Sequence, residues 1–148
     1  MKLPAVPSEG LLQSLPPEER KRLGRAGMTK AEAQAKYAAG LEKELQGDIA
    51  NWLDSQQIYF ECDRMDTRTS GRRGRADFRV CVPVRIKDQI EGRWLSVEAK
   101  TQSGTLTSEQ AEQAARLRKS GGKFIVARSL AEVIEAVREL QRPFYRYE

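Results

Sequence analysis

The chain contains no histidine and only two cysteines. The first absence removes whole classes of chemistry. No Ser-His-Asp or Cys-His nucleophilic site is possible, and no zinc can be held by imidazole. Hydrolases that use His as a general base are excluded too. Acid–base work must fall to carboxylates, Lys, Tyr, Cys or a metal-bound water. Cys62 and Cys81 are too few and too far apart for a zinc site. Both lie in apolar, strand-like stretches, which predicts buried free thiols and a reducing, cytoplasmic setting. Long apolar runs are also missing. None approaches the roughly 20 residues of a membrane span. The N-terminus, Met1-Lys2-Leu3-Pro4, lacks the apolar stretch of a signal peptide.

Acidic charge is in deficit. The 148 residues carry 21 Asp+Glu against 26 Lys+Arg, a net charge of +5. That excess is modest, so only its placement can point to a polyanionic partner. The length suits one compact domain with an arm. A chain of this size buries roughly 70% of its unfolded surface, so it needs no metal or disulfide to hold a core.

Residues 1 to about 28 are rich in Pro, Gly and charge and read as an arm around a short helix from Pro16-Pro17 to Leu23. Thr29 with Glu32 forms a capping box at the head of a long helical pattern that runs to about Gln56, with Gly40 as a weak point. Leu41, Leu45, Ile49 and Trp52 recur there at helical spacing. Three extended segments follow: Ile58 to Arg64, Ala76 to Val84 and Arg93 to Lys100. A glycine- and arginine-rich loop separates the first two, and a polar loop through Asp88 and Gly92 separates the next two. A second helix opens at a Thr107–Gln110 capping box and ends at Gly121-Gly122. Lys123 to Arg128 is a short strand, and Ser129 with Glu132 caps a last helix that stops before Pro143. The order is α-β-β-β-α-β-α.

Five residues carry candidate chemistry: Glu98, Lys100, Asp77, Glu42 and Gln110. Strand alternation places Glu98 and Lys100 on one face of the third strand and Leu95, Val97 and Ala99 on the other. A carboxylate and an ammonium together can hold a hard cation and position a water, although Glu-x-Lys is also a common solvated pair. Asp77 opens the preceding strand, where Asp is rare. If the two strands pair as a meander, Asp77 lies beside Glu98, and neighbouring carboxylates repel unless a cation joins them. Mg²⁺ suits such a pair, since it binds through one or two carboxylates plus water and phosphate oxygens. Asp77 has a plainer reading as the cap of a turn. On the long helix Glu42 falls about 60° from Leu45, inside the apolar stripe, and Gln46 falls about 100° away at its rim. An inward carboxylate needs a partner, or must snorkel at the helix edge. Gln110 has its capping role, yet its amide starts a helix only a few residues beyond Lys100.

Taken together, Glu42 through Gln46, Gly74-x-x-Asp77, Glu98-Ala99-Lys100 and Gln110 in an αβββαβ order resemble the PD-(D/E)XK nuclease superfamily. More narrowly, Glu98-Ala99-Lys100-Thr101, Gly104-Thr105-Leu106-Thr107-x-x-Gln110, Gly121-Gly122 and Val126-Ala127-Arg128-Ser129 resemble its VRR-NUC branch, the virus-type replication–repair nuclease domain. The resemblance spans roughly residues 41 to 141. It implies a restriction-endonuclease-like α/β core with a mixed sheet, expected over residues 41–148. Residues 1–40 lie outside the resemblance and are expected to form an N-terminal arm with a short helix and the start of the long helix. Ala76 stands where the superfamily name has Pro. The activity implied is divalent-metal-dependent hydrolysis of a DNA phosphodiester. By that pattern Asp77, Glu98 and the Ala99 carbonyl bind Mg²⁺ or Mn²⁺, and Glu42 contributes through a water or a second metal. Lys100 positions or deprotonates the attacking water, and Gln110 supports it. The branch further implies a homodimer acting on branched DNA such as four-way junctions, in the cytoplasm of a bacterium or phage-infected cell.

The basic excess then has a place. Arg64, Arg68, Arg72, Arg73 and Arg75 cluster just before Asp77 and read as a phosphate clamp or as a solvated loop. Arg116, Arg118 and Lys119 add charge on the second helix, and the tail Arg142-Pro143-Phe144-Tyr145-Arg146-Tyr147 interleaves aromatics with Arg. Two rival readings remain: a non-catalytic DNA-binding module on the same fold, and a basic assembly protein that uses its arm.

Overall fold

The computed structural model describes residues 30–63 and 74–142. The arm, Thr29 of the first capping box, Arg64, Arg68, Arg72, Arg73 and the tail from residue 143 lie outside the described residues. The chain falls into two compact units, Met1–Glu44 and Leu45–Glu148. The described part of the first is the leading half of helix α1 (Lys30–Ser55). Gly40 does not break that helix. Its penalty of about 1 kcal/mol against Ala is small beside 26 residues of continuous helix.

In the second unit α1 ends by a defined motif. Gln57 takes the left-handed conformation at φ 56°. Its N–H donates to the Asp54 carbonyl at 3.0 Å, and the Ile58 N–H reaches the Leu53 carbonyl at 3.1 Å. This is a Schellman closure, which satisfies carbonyls the helix would otherwise leave open. The chain then enters β1 (Tyr59–Cys62), β2 (Phe78–Ile86), β3 (Gln89–Ala99), α2 (Ser108–Lys119), β4 (Lys123–Ala127) and α3 (Leu130–Gln141). The strands form one sheet in the order β1-β2-β3-β4. The first two pairings are antiparallel and β3–β4 is parallel, so the sheet is mixed. The element order read from the sequence is the order observed.

One expected loop is absent. β2 and β3 are joined by Lys87 and Asp88 alone, with Lys87 at φ 55°. Gly92 is not in a loop but inside β3, opposite Pro83. A two-residue turn lets the ladder continue from Ile86 and Gln89 inward, so β3 starts four residues earlier than the Arg93 expected. Pro83 is tolerated because the β1–β2 pairing reaches only to Tyr59, the first residue of β1, opposite Cys81, and β2 is an edge strand beyond it.

Alternation along β2 buries Phe78, Val80, Val82 and Val84 on one face. Leu95, Val97 and Ala99 of β3 join them, and Ile49 and Leu53 of α1 and Val133, Ala136 and Val137 of α3 cover this face. The opposite face is covered only in part. There Ala114 of α2 packs with Ala76 and Phe124, flanked by Leu106, Leu117 and Val126. The cysteines correct an expectation. Both are free, and both are exposed rather than buried. The alternation that sinks Phe78 to Val84 turns Cys81 to the opposite face, beyond the α2 cluster, and Cys62 ends the four-residue edge strand. Among the described residues no helix is long and apolar enough to cross a membrane.

Candidate active site

The β2–β3 register decides the site. Phe78 pairs with Val97, so the residues one step further out, Asp77 and Glu98, are neighbours on the partly covered face. Backbone bonds lock them together. The Asp77 N–H donates to Glu98 Oε2 at 3.2 Å, and the Ala99 N–H donates to Asp77 Oδ2 at 2.8 Å. Each carboxylate is thus held by the other residue's strand.

Two further side chains converge on Glu98. Lys100 Nζ lies 3.0 Å from its Oε1. Gln110 Nε2 donates to the same oxygen at 2.6 Å. Gln110 reaches there because the capping box at the head of α2 is complete. The Thr107 hydroxyl accepts the Gln110 N–H, and Gln110 Oε1 accepts the Thr107 N–H at 2.9 Å. The cap fixes the amide oxygen and aims its NH₂ at Glu98. Gly74 brings the segment before Asp77 against this helix start. It sits at φ 80°, and a Cβ there would lie 2.4 Å from the Glu109 carbonyl carbon.

The electrostatics are strained. Glu98 is 2% exposed. Burial pushes its carboxyl above the ordinary range, the Asp77 charge pushes it further, and Lys100 pulls it back. Burial also raises Asp77, against the Ala99 N–H, Lys100 and a hydrogen bond from Gln46. Two carboxylates that resist ionising side by side suit a hard cation. Each ionised carboxylate offers about four acceptor directions, so the partners named leave capacity at both. Among the described residues no third His, Cys, Asp or Glu completes a cluster. Two carboxylates are enough for Mg²⁺, which keeps much of its water shell.

The structure therefore brings together Asp77, Glu98, Ala99, Lys100 and Gln110. Glu42 stands on α1 in the first unit, half-buried. Of the arginine cluster Arg75 is described, and it is exposed. Arg116, Arg118 and Lys119 are exposed on α2. Two residues not singled out as site residues take part. Gln46 is buried at 9% exposure and bonds Asp77. Its position at the rim of the apolar stripe was the available signal. Arg79 shares the face of Asp77 and pairs with Glu61 and Asp63, at 3.4 Å and 3.1 Å. It also donates to the Ala76 carbonyl at 3.2 Å, bracing the turn into β2. Strand alternation from Asp77 would have placed it there.

Fold and site define a class: an α/β protein whose mixed four-stranded sheet holds a buried and a half-buried carboxylate side by side, with a lysine and a glutamine, at one end. No family model, no curated protein and no solved structure matches this chain.

Proposed function

We propose that the chain is a divalent-metal-dependent endodeoxyribonuclease. The observation that carries this reading is the adjacent pair of half-buried Asp77 and buried Glu98, with Lys100 and Gln110 within hydrogen-bonding distance of Glu98. Asp77, Glu98 and the Ala99 carbonyl would hold Mg²⁺ or Mn²⁺. The resemblance alone assigns Glu42 to it. When bound, such an ion acidifies a water and stabilises charge developing on a phosphate. The protein's own groups do the rest. Lys100, beside Glu98, would orient the attacking water and, once its own proton had left to solvent, would accept the proton that water loses. Gln110 keeps Glu98 from rotating away, and the Ala99 N–H and Gln46 do the same for Asp77. The resemblance extends the proposal to a homodimer acting on branched DNA, whose two-fold arrangement suits a symmetric junction.

The deciding experiment incubates linear, nicked, flap and four-way-junction DNA with Mg²⁺ or Mn²⁺, beside Asp77→Ala, Glu98→Ala and Lys100→Ala. Cleavage by the wild type and its loss in all three variants is expected. Binding without cleavage under every condition would sink the nuclease reading, and equal cleavage by Asp77→Ala would sink the site. One observation favours a second reading, a non-catalytic DNA-binding module. The Lys100–Glu98 pair already balances one carboxylate without any metal. Thermal unfolding separates the two readings, since a metal site stabilises with added Mg²⁺ or Mn²⁺ and a closed ion pair does not.

A further inference from the structure

The same sheet face continues past the carboxylates. Glu98, Ser96 and Trp94 are successive side chains on that face of β3. Beside them opens a cleft of about 410 Å³ lined by Arg75, Arg79, Trp94, Ser96, Gln113 and Phe124. Its volume lies within the roughly 300–1,000 Å³ usual for small-ligand pockets. Its chemistry is mixed in a particular way. Trp94 is 49% exposed, an unusual position for a large aromatic. Its ring is nonetheless fixed, because the indole N–H donates to the Ser96 hydroxyl at 2.9 Å. Gln113 adds an amide at the edge, while Phe124 is buried beneath. Two arginines border the cleft. Arg79 is neutralised by Glu61 and Asp63, but Arg75 is exposed and enters no ion pair among the described residues. Trp94 lies four residues from Glu98, about 13 Å at strand rise. At the roughly 3.4 Å rise of each strand in a duplex that distance spans about four nucleotides, and fewer where the strand is unpaired and more extended.

The geometry points to a subsite for an unpaired nucleotide, with its base stacked on Trp94 and its phosphate against Arg75, a few nucleotides from the bond that is cut. The inference takes its partner from the nuclease reading, and it narrows the substrate to DNA with a single-stranded or extrudable segment beside the cleavage point. Stacking on one aromatic is sequence-tolerant, because every base has a π-face, so this subsite selects DNA structure and not sequence. A duplex offers no free base face and gains nothing from it.

The test uses the full chain in EDTA, so that no cleavage intervenes. Trp52→Phe removes the only other tryptophan and leaves Trp94 as the reporter. A ten-residue oligothymidylate is expected to quench its emission, and a blunt duplex of equal length is expected to quench far less. By anisotropy with the labelled oligothymidylate, Trp94→Ala weakens binding on the order of ten-fold or more. Trp94→Phe retains most of the affinity and Trp94→Leu does not. Unchanged affinity in Trp94→Ala overturns the proposal, as does equal quenching by duplex. A shift of Trp94 emission with protein concentration alone also overturns it, by making the face a contact between copies of this chain. Quenching in a protein that cleaves no DNA with Mg²⁺ or Mn²⁺ removes the nuclease reading and supports the subsite. Cleavage without quenching does the reverse.

Discussion

Asp77 and Glu98 are held where a negative charge is expensive. Burial raises both carboxyls, and the repulsion between them raises Glu98 further. A carboxyl whose pKa rises on folding binds protons more tightly in the folded chain than in the unfolded one. Its contribution to stability is therefore most favourable below the ordinary carboxylate range, near pH 4, and falls as pH rises through the raised values. In EDTA the wild type should lose stability across that window, and Asp77→Asn should lose less, as read by denaturant unfolding at a series of pH values. Asn keeps an oxygen for the Ala99 N–H and removes the charge. The same variant should melt a few degrees higher than wild type at neutral pH and cleave no DNA. A lower melting temperature would show that Asp77 is structural. Lys100→Ala should slow cleavage roughly 10²–10⁴-fold if the amine handles the water's proton. Gln46 shows why one part of the site was hard to read from sequence. A polar residue at the rim of a helical stripe is ordinary, and only the packing of α1 on the sheet turns it toward Asp77.

At the scale of elements, the head of α2 is the part that joins fold to site. Gln110 is at once the capping residue of the helix and a ligand of Glu98. Gln110→Glu tests that double role. The new carboxylate can still accept the Thr107 N–H, so the cap survives. It also places a third negative charge against Glu98. The variant should be less stable than wild type in EDTA and gain more melting temperature from Mg²⁺, a difference read by thermal unfolding with and without the ion. Gly74→Ala should act on the same joint from the other side. A methyl there meets the backbone of Glu109 and Gln110, which cannot move aside as a side chain would, and the residue must hold a positive φ. A loss of about 1–3 kcal/mol by denaturant unfolding is expected. The elements themselves were largely legible in the sequence. Thr107 and Ser129 are observed as N-caps, and the alternation from Phe78 to Val84 gives the buried face correctly. The misreadings share one cause. Gly92 looked like loop punctuation because a glycine inside a strand carries the same local signal as one in a turn. It lies opposite Pro83 with its missing side chain filled by Cys81, whose Sγ is 2.5 Å from where a Cβ would stand. The cysteines looked buried because apolar strands usually are, but local composition does not say that α2 covers only part of its face.

For the whole molecule, the informative quantity is where the charge sits. A net +5 would attract DNA weakly from any direction. Five arginines between residues 64 and 75 concentrate it instead on the segment that leads into Asp77, and Arg75 is exposed. If that segment grips phosphates, each arginine engaged releases condensed counterions, and the affinity for DNA falls with salt in proportion to their number. Arg72→Ala with Arg73→Ala should then weaken binding to all DNA structures alike and lower the slope of log K against log salt by about 1.8 for duplex DNA. The measurement is anisotropy of labelled DNA with the Asp77→Asn protein over a range of salt concentrations. An unchanged slope would mean that the cluster touches no phosphate and that the basic excess serves solubility. Structure selectivity should survive the double substitution, because it would arise from base stacking at Trp94 and not from phosphate charge. The two surfaces thus make opposite predictions on the same titration: loss of the arginines changes the salt slope and leaves the preference for unpaired DNA, whereas Trp94→Ala leaves the slope and erases the preference.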